Sequence, residues 1–454
     1  MNTQGLQAGK GLATGRYASG AVALAIALAS APLGQAFAQE QTSAEEAFAS
    51  SRHWASQIRS YASKSLNSDE ALSVAAIPLN GPGIEQYVNA DTLMSPGSIM
   101  KLVTTYAALE LLGPTHHWKT DFLTDGMMVG DSLEGNLYVR FGGDPKLTLE
   151  RLWSTLRELK SMGINRIEGD LVLDGSYFRV DGGFPTFEDN GDNPHAPFLV
   201  EPSGYLTNLN LLHFQVRADE RGTQAWTTPD LGEVSIDNRV TALPEGPCPA
   251  RSRFDWEPVF HENHQVTVRV TGQLPQGCRS TTYLSLLPHE RYSASVIRSV
   301  LSEMGIIVSG GDRFEGTPED ARLIMRTTSP DLVSMVRDIN KWSSNVMARQ
   351  MLLTIGAEFR KEDDKDDRVA GIRTVYEWLE NMGINTAGMV IDNGAGLTRH
   401  GRITARQGAQ ILQQAWDSPY ASDLMASMPI IAMDGTMARR LRNTGMDGEG
   451  RIKT

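Results

Sequence analysis

SPGSIMKLVTTYAALELLGP, residues 95–114, is the stretch on which the reading of this chain turns. Ser95 can cap a helix, Pro96 suits its first position, and Gly113-Pro114 close it. Ile99, Leu102, Val103, Tyr106, Ala107 and Leu109 recur at helical spacing and predict one buried side. In the first turn Lys101 follows Ser98 by three residues, and positions i and i+3 share a helix face, so hydroxyl and amine can meet. An amine serves a serine as base only when it is neutral near pH 7. Desolvation, a second cation and the positive end of a helix dipole all favour that form. A bare Ser-x-x-Lys is a weak pattern that a chain of this length can hold by chance. A lysine inside an apolar helix needs a reason, and that raises its weight.

Two further elements stand downstream. Ser343-Ser344-Asn345 separates two helical patterns, 331–340, where Ser329 is expected to cap and Pro330 to begin the helix, and 346–356. It reads either as a polar turn or as a hydroxyl that relays a proton beside an amide that holds substrate. Ser65-Leu66-Asn67 matches the same pattern in an exposed stretch, so the pattern alone decides nothing. Lys453-Thr454 is the start of a Lys-Thr-Gly that lacks its glycine, and Lys119-Thr120 shows how common the first two letters are.

The formal charge of −12 argues against nucleic acid, and 41% hydrophobic with 21% charged residues is a globular composition. Lys10 and Arg16, then Ala21–Leu33, then Ala36-Phe37-Ala38 read as a signal peptide, residues 1–38, cleaved near Ala38. That run is too short for a membrane span and no later stretch qualifies, so a transmembrane anchor is not expected. Export into an oxidising compartment, the periplasm, suits a disulfide between Cys248 and Cys278 rather than two buried thiols. His261 and His264 read as loop histidines, and neither a metal nor a cofactor is expected.

Along the chain a helix is expected over 44–65 and a buried strand over 71–79. Short alternating runs then fill 121–271, interrupted by one clear helix, 149–163, and helical spacing returns over 294–304, 369–382 and 404–416. This layout, helix-rich, β-rich, then helix-rich, predicts an α/β (α+β) catalytic domain in two pieces, 39–116 and 305–454, with β-rich insertion 117–304.

Ser-x-x-Lys, Ser-x-Asn and Lys-Thr in that order, in an exported chain, form the motif set of penicillin-binding proteins and serine β-lactamases. VRFGGDPKLT (139–148), RIEGDLVLDGSYF (166–178), VRDINKWSSNVMARQ (336–350), DNGAGLTR (392–399) and MDGTMARRL (433–441) narrow the match. With the opening stretch, they resemble the class C low-molecular-mass penicillin-binding proteins, the D-alanyl-D-alanine carboxypeptidase/endopeptidases. The resemblance implies a transpeptidase-like catalytic fold, with domains inserted between the first two motifs. Ser98 and Ser343 lie 245 residues apart, farther than a β-lactamase separates them.

It also implies Ser98 as acyl-enzyme nucleophile, Lys101 as its base, Ser343 and Asn345 as the second motif, and Lys453 and Thr454 at the substrate carboxylate. The substrates implied are peptidoglycan stem peptides with D-Ala-D-Ala termini or D,D cross-links, and β-lactams are the inhibitors. Ala395 departs from the serine usual in the family. The chain is expected to stop inside its third motif, without the strands that follow. The competing readings are a serine β-lactamase and, as truncated, a catalytically impaired cell-wall-binding protein.

Overall fold

The computed structural model describes residues 54–64, 70, 72–79, 85–181, 184, 187, 193–248, 254–440, 442 and 452–454. The expected signal peptide and most of the expected helix 44–65 lie outside the described residues. The unit of residues 58–454 holds everything that follows.

Its helical part is built around α1, Met100–Leu112, which is buried on nearly every side from Met100 to Leu109. The expectation of a single buried face therefore fails: Ile99 is 58% exposed, while Lys101, Thr104 and Thr105 are buried among the apolar residues. The reason is position, since α1 packs chiefly against two other helices at once. These are α4, Leu332–Trp342, and α5, Asn345–Glu358. Later helices α6, Asp367–Asn381, and α7, Ala405–Asp417, belong to the same core through Val375, Leu379, Ile411 and Ala415. Thr404 and Gln407 form a capping box at the start of α7.

Asp331, not Ser329, caps α4, accepting the Ser334 N–H at 2.9 Å. Ser329 instead takes the N–H of Trp118 at 3.0 Å, tying the entrance of α4 to the end of the segment after α1. The expected buried strand over 71–79 is shorter and half-exposed: Val74–Ala76, paired antiparallel with Gln86–Val88 among the described residues.

The middle of the chain is β-rich but not purely so. A five-stranded sheet runs in the order Asp312–Phe314, Leu171–Asp174, Leu137–Phe141, Lys119–Thr124 and Arg322–Thr328. Its first three strands are parallel, and α2, Leu149–Ser161, makes the crossover between Leu137–Phe141 and Leu171–Asp174. Helix α3, His289–Glu303, begins five residues before the expected 294 and packs on α2. The closing strand, Arg322–Thr328, lies beyond residue 304, and Met325 shares the core of this sheet, so the β-rich body continues past the boundary drawn from composition.

A distal part joins two three-stranded sheets over Val216, Ala218, Val240, Val270, Leu274 and Cys278. Cys248 and Cys278 are disulfide-bonded there, with Cα atoms 5.5 Å apart and a sequence separation of 30. Closing a loop of that length restricts the unfolded chain by about 3–4 kcal/mol. Replacing both cysteines with alanine is expected to lower the calorimetric melting temperature, an effect that reduction of the unmodified protein should reproduce.

Candidate active site

Ser98 sits in a 3-10 turn, Gly97–Ile99, immediately before α1. Gly97 carries φ of +50°, a left-handed conformation that suits glycine, and this tight entry leaves Ser98 exposed while Lys101 turns inward. Lys101 Nζ lies 3.2 Å from Ser98 Oγ, 2.7 Å from Asn345 Oδ1 and 2.8 Å from the Ala395 carbonyl oxygen. Ser343 Oγ donates to Ser98 Oγ at 2.9 Å. Ser343 ends α4 in a left-handed conformation, φ 56°, which reverses the chain so that Ser344 can cap α5 and Asn345 can open it. Asn345 Nδ2 donates to the Phe198 carbonyl at 3.1 Å, so the amide bridges Lys101 to the 193–211 segment.

The fourth contributor is the DNGAGLTR loop. Asn393 Oδ1 accepts the N–H groups of Ala395 and Gly396, and its Nδ2 donates to the Leu397 carbonyl. Thr104 of α1 donates to the Gly394 carbonyl at 2.7 Å. Gly396 passes so near the entry to α1 that a Cβ there would lie 1.7 Å from the Gly97 carbonyl oxygen. The loop is thereby clamped onto the Ser98 turn, and the Ala395 carbonyl is held on Lys101. Ala395 itself is fully buried and contributes through its backbone, so the missing hydroxyl at this position leaves the contact with Lys101 intact.

Lys101 is 2% exposed, and burial first, then the positive charge of Arg349, pull its pKa down from 10.5 to about 7. Arg349 escaped the sequence reading. The available signal was a cation four residues after Asn345 in an otherwise apolar helix pattern. Phe198 and Trp342 stand exposed at the mouth of an apolar pocket of about 410 Å³ beside Ser343 and Asn345, and Lys146 and Asp338 pair at its edge.

Lys453 and Thr454 join a different neighbourhood. Lys453 bridges Ile430 and donates from Nζ to the Met425 carbonyl, and the Thr454 N–H donates to the Pro429 carbonyl. Among the described residues no hydrogen bond links either of them to Ser98, Lys101, Ser343 or Asn345. Nor do the described residues hold a group of three or more His, Cys, Asp or Glu suited to a metal, and His264 lies in a surface 3-10 turn.

Against known proteins, the chain is 30% identical over 385 residues to a D-alanyl-D-alanine carboxypeptidase of an Actinomadura species, covering 79% of this chain and 68% of that protein. Its fold is similar to the crystal structure of penicillin binding protein 4 (dacB) from Haemophilus influenzae, with TM-score 0.68 and 24% identity over 83% of this chain and 82% of that one. A second structure of that protein, complexed with a novel β-lactam, gives TM-score 0.63 at 24% identity, covering 83% and 81%. The model of the D-Ala-D-Ala carboxypeptidase 3 (S13) family matches residues 66–454, and the chain belongs to that family.

Proposed function

We infer that this serine peptidase cleaves the D-Ala-D-Ala termini or D,D cross-links of peptidoglycan stem peptides through an acyl-enzyme on Ser98. The observation that carries the reading is the surroundings of Lys101 Nζ. Asn345 Oδ1 and the Ala395 carbonyl can only accept, so each takes one N–H. A neutral amine has two N–H groups and one lone pair, which leaves the lone pair for the Ser98 hydroxyl at 3.2 Å. With a pKa of about 7, a large share of the molecules holds the neutral form at neutral pH.

In the forward step, Ser98 Oγ attacks the substrate carbonyl carbon as its proton passes to Lys101 Nζ. The Ser98 backbone N–H supports the oxyanion. Collapse of the adduct breaks the C–N bond, and the leaving amine takes its proton through Ser343 Oγ. Water then adds to the acyl ester, and expulsion of Ser98 Oγ with return of a proton restores the enzyme. A β-lactam presents a carbonyl to the same oxygen and stays attached as a slowly hydrolysed ester; the related fold complexed with a β-lactam supports this. Asn345 holds the acyl side, and the 410 Å³ pocket takes the stem-peptide side chain. Lys453 and Thr454 are assigned to the substrate carboxylate on the strength of their motif alone. The basic, apolar and small-residue pattern of residues 1–38 supports export to the periplasm. No helix of the described residues is long and apolar enough to cross a membrane.

Incubation with fluorescent penicillin should leave a single covalent adduct that peptide mass spectrometry places on Ser98, and Ser98→Ala should remove both adduct and D-Ala release. A label that survives Ser98→Ala overturns the reading. Fast turnover of a chromogenic cephalosporin without D-Ala release makes the protein a β-lactamase instead.

A further inference from the structure

Among the described residues, Arg349 carries a buried charge with little to compensate it. It is 2% exposed within α5, where its Nη1 makes a long hydrogen bond, 3.4 Å, to the Val200 carbonyl. Its Nε has no partner among the described residues. Glu201 and Asp392 favour its charged form at a distance, and one oxygen of Asp392 is itself buried without a hydrogen bond. Burying a guanidinium with so little compensation is costly, and an apolar side chain of similar size would avoid that cost. Its position gives a reason for keeping it. Arg349 lies four residues after Asn345, one helical turn on the same face, and Asn345 Oδ1 is the group that takes an N–H of Lys101.

We propose that Arg349 is a positioning residue for acylation, a fixed cation that acts on Ser98 through Lys101. The proposal rests on the reading of Lys101 as the base. Nζ itself is met by Ser98, Asn345 and the Ala395 carbonyl, and Arg349, one turn beyond Asn345 on α5, acts on it through its charge. Of these, Arg349 is the group with a charge. A positive charge that cannot titrate makes a second one nearby unfavourable, and the buried setting screens that repulsion less than water would. The amine therefore stays in the form whose lone pair can take the Ser98 proton. Burial pulls the Arg349 pKa down, and the opposing acids, Glu201 from the 193–211 segment and Asp392 from the DNGAGLTR loop, offset part of that and favour the charged guanidinium.

The test is the pH dependence of Ser98 acylation by penicillin, measured from pH 5.5 to 9.5 in the full chain and in Arg349→Met, with folding followed by circular dichroism. Removing the cation should move the midpoint of the profile above that of the unaltered protein. Acylation at pH 7 then falls about five-fold and recovers toward the unaltered rate by pH 9. Arg349→Lys, whose amine can itself lose its proton when buried, should bring the midpoint back only in part, and Arg349→Gln serves where the Met variant does not accumulate. A purely structural arginine would lower the rate by the same factor at every pH, and an unmoved midpoint overturns the proposal. If the unaltered protein is not acylated at Ser98 at all, it is the functional reading that fails.

Discussion

Lys101→Met is expected to slow acylation of Ser98 by about 10³-fold, within the range of roughly 10² to 10⁴ that a positioned general base supplies. Methionine fills a similar volume but cannot take the Ser98 proton, and it leaves Asn345 Oδ1 and the Ala395 carbonyl without their donor. In the unaltered protein the rate should rise with pH through about 7, as Lys101 loses its proton, whereas the variant should be flat across that range. Time-resolved penicillin labelling reads both. The same ionisation links to stability with a definite sign. The folded pKa lies near 7 and the unfolded one near 10.5, so between those values the unfolded chain holds a proton that the native protein lacks. Raising the pH through that window therefore favours the native state, and the Met variant should lose this component of the pH dependence. A variant that keeps the full pH-rate profile would remove Lys101 from the mechanism.

Gly396→Ala should damage fold and site together. The backbone there has φ of +75°, and a Cβ would meet the Gly97 carbonyl oxygen at 1.7 Å, a contact that only backbone movement can relieve. A left-handed alanine costs about 1–2 kcal/mol and overpacking about 1–3 kcal/mol more, so a loss of about 3 kcal/mol is expected. Because the displaced atoms are those of the Ser98 turn and the Lys101 carbonyl contact, acylation should fall by at least about ten-fold in the protein that remains folded. Gly408→Ala in α7 is the matched control: it has open space around it, and alanine suits a helix better than glycine. That control should leave labelling unchanged and melt no lower than the parent. Equal behaviour of the two variants would show that the clamp between loop and turn does not hold the site.

How much of this was legible beforehand follows from what each contact is made of. Ser98, Lys101, Ser343 and Asn345 announce themselves by side-chain type and order, and the structure gathers all four within hydrogen-bonding reach. The Ala395 and Phe198 carbonyls do not, because a backbone oxygen has the same chemistry at every residue. Reading Ala395 by its missing hydroxyl drew attention to the wrong atom. The charge of Arg349 acts on Lys101 from more than two hundred residues away, and its effect depends on burial that no local pattern encodes. The helices with strong apolar spacing were placed to within a few residues. Ser329 lost the capping position because Asp331, two residues on, offers a carboxylate at the right backbone geometry. The strand Arg322–Thr328 was missed because its alternation is weak: its side chains are mostly exposed, with only Met325 fully buried.

That same strand bears on how such a protein can change over generations. Thr328 pairs directly with Lys119, so the chain leaves the helical part and returns to it across one antiparallel rung, with Cα atoms about 5 Å apart. Apart from the stretches that touch the site, such as 193–211 with its Phe198 carbonyl on Asn345, the roughly two hundred amino acids between are, to the residues that hold Ser98, a loop of almost zero span. Lengthening, shortening or exchanging the distal part of such a segment leaves the two attachment points where they are, and the closure entropy grows only slowly with length. Lineages are thus free to remodel the distal sheets, disulfide included, without re-solving the geometry of catalysis.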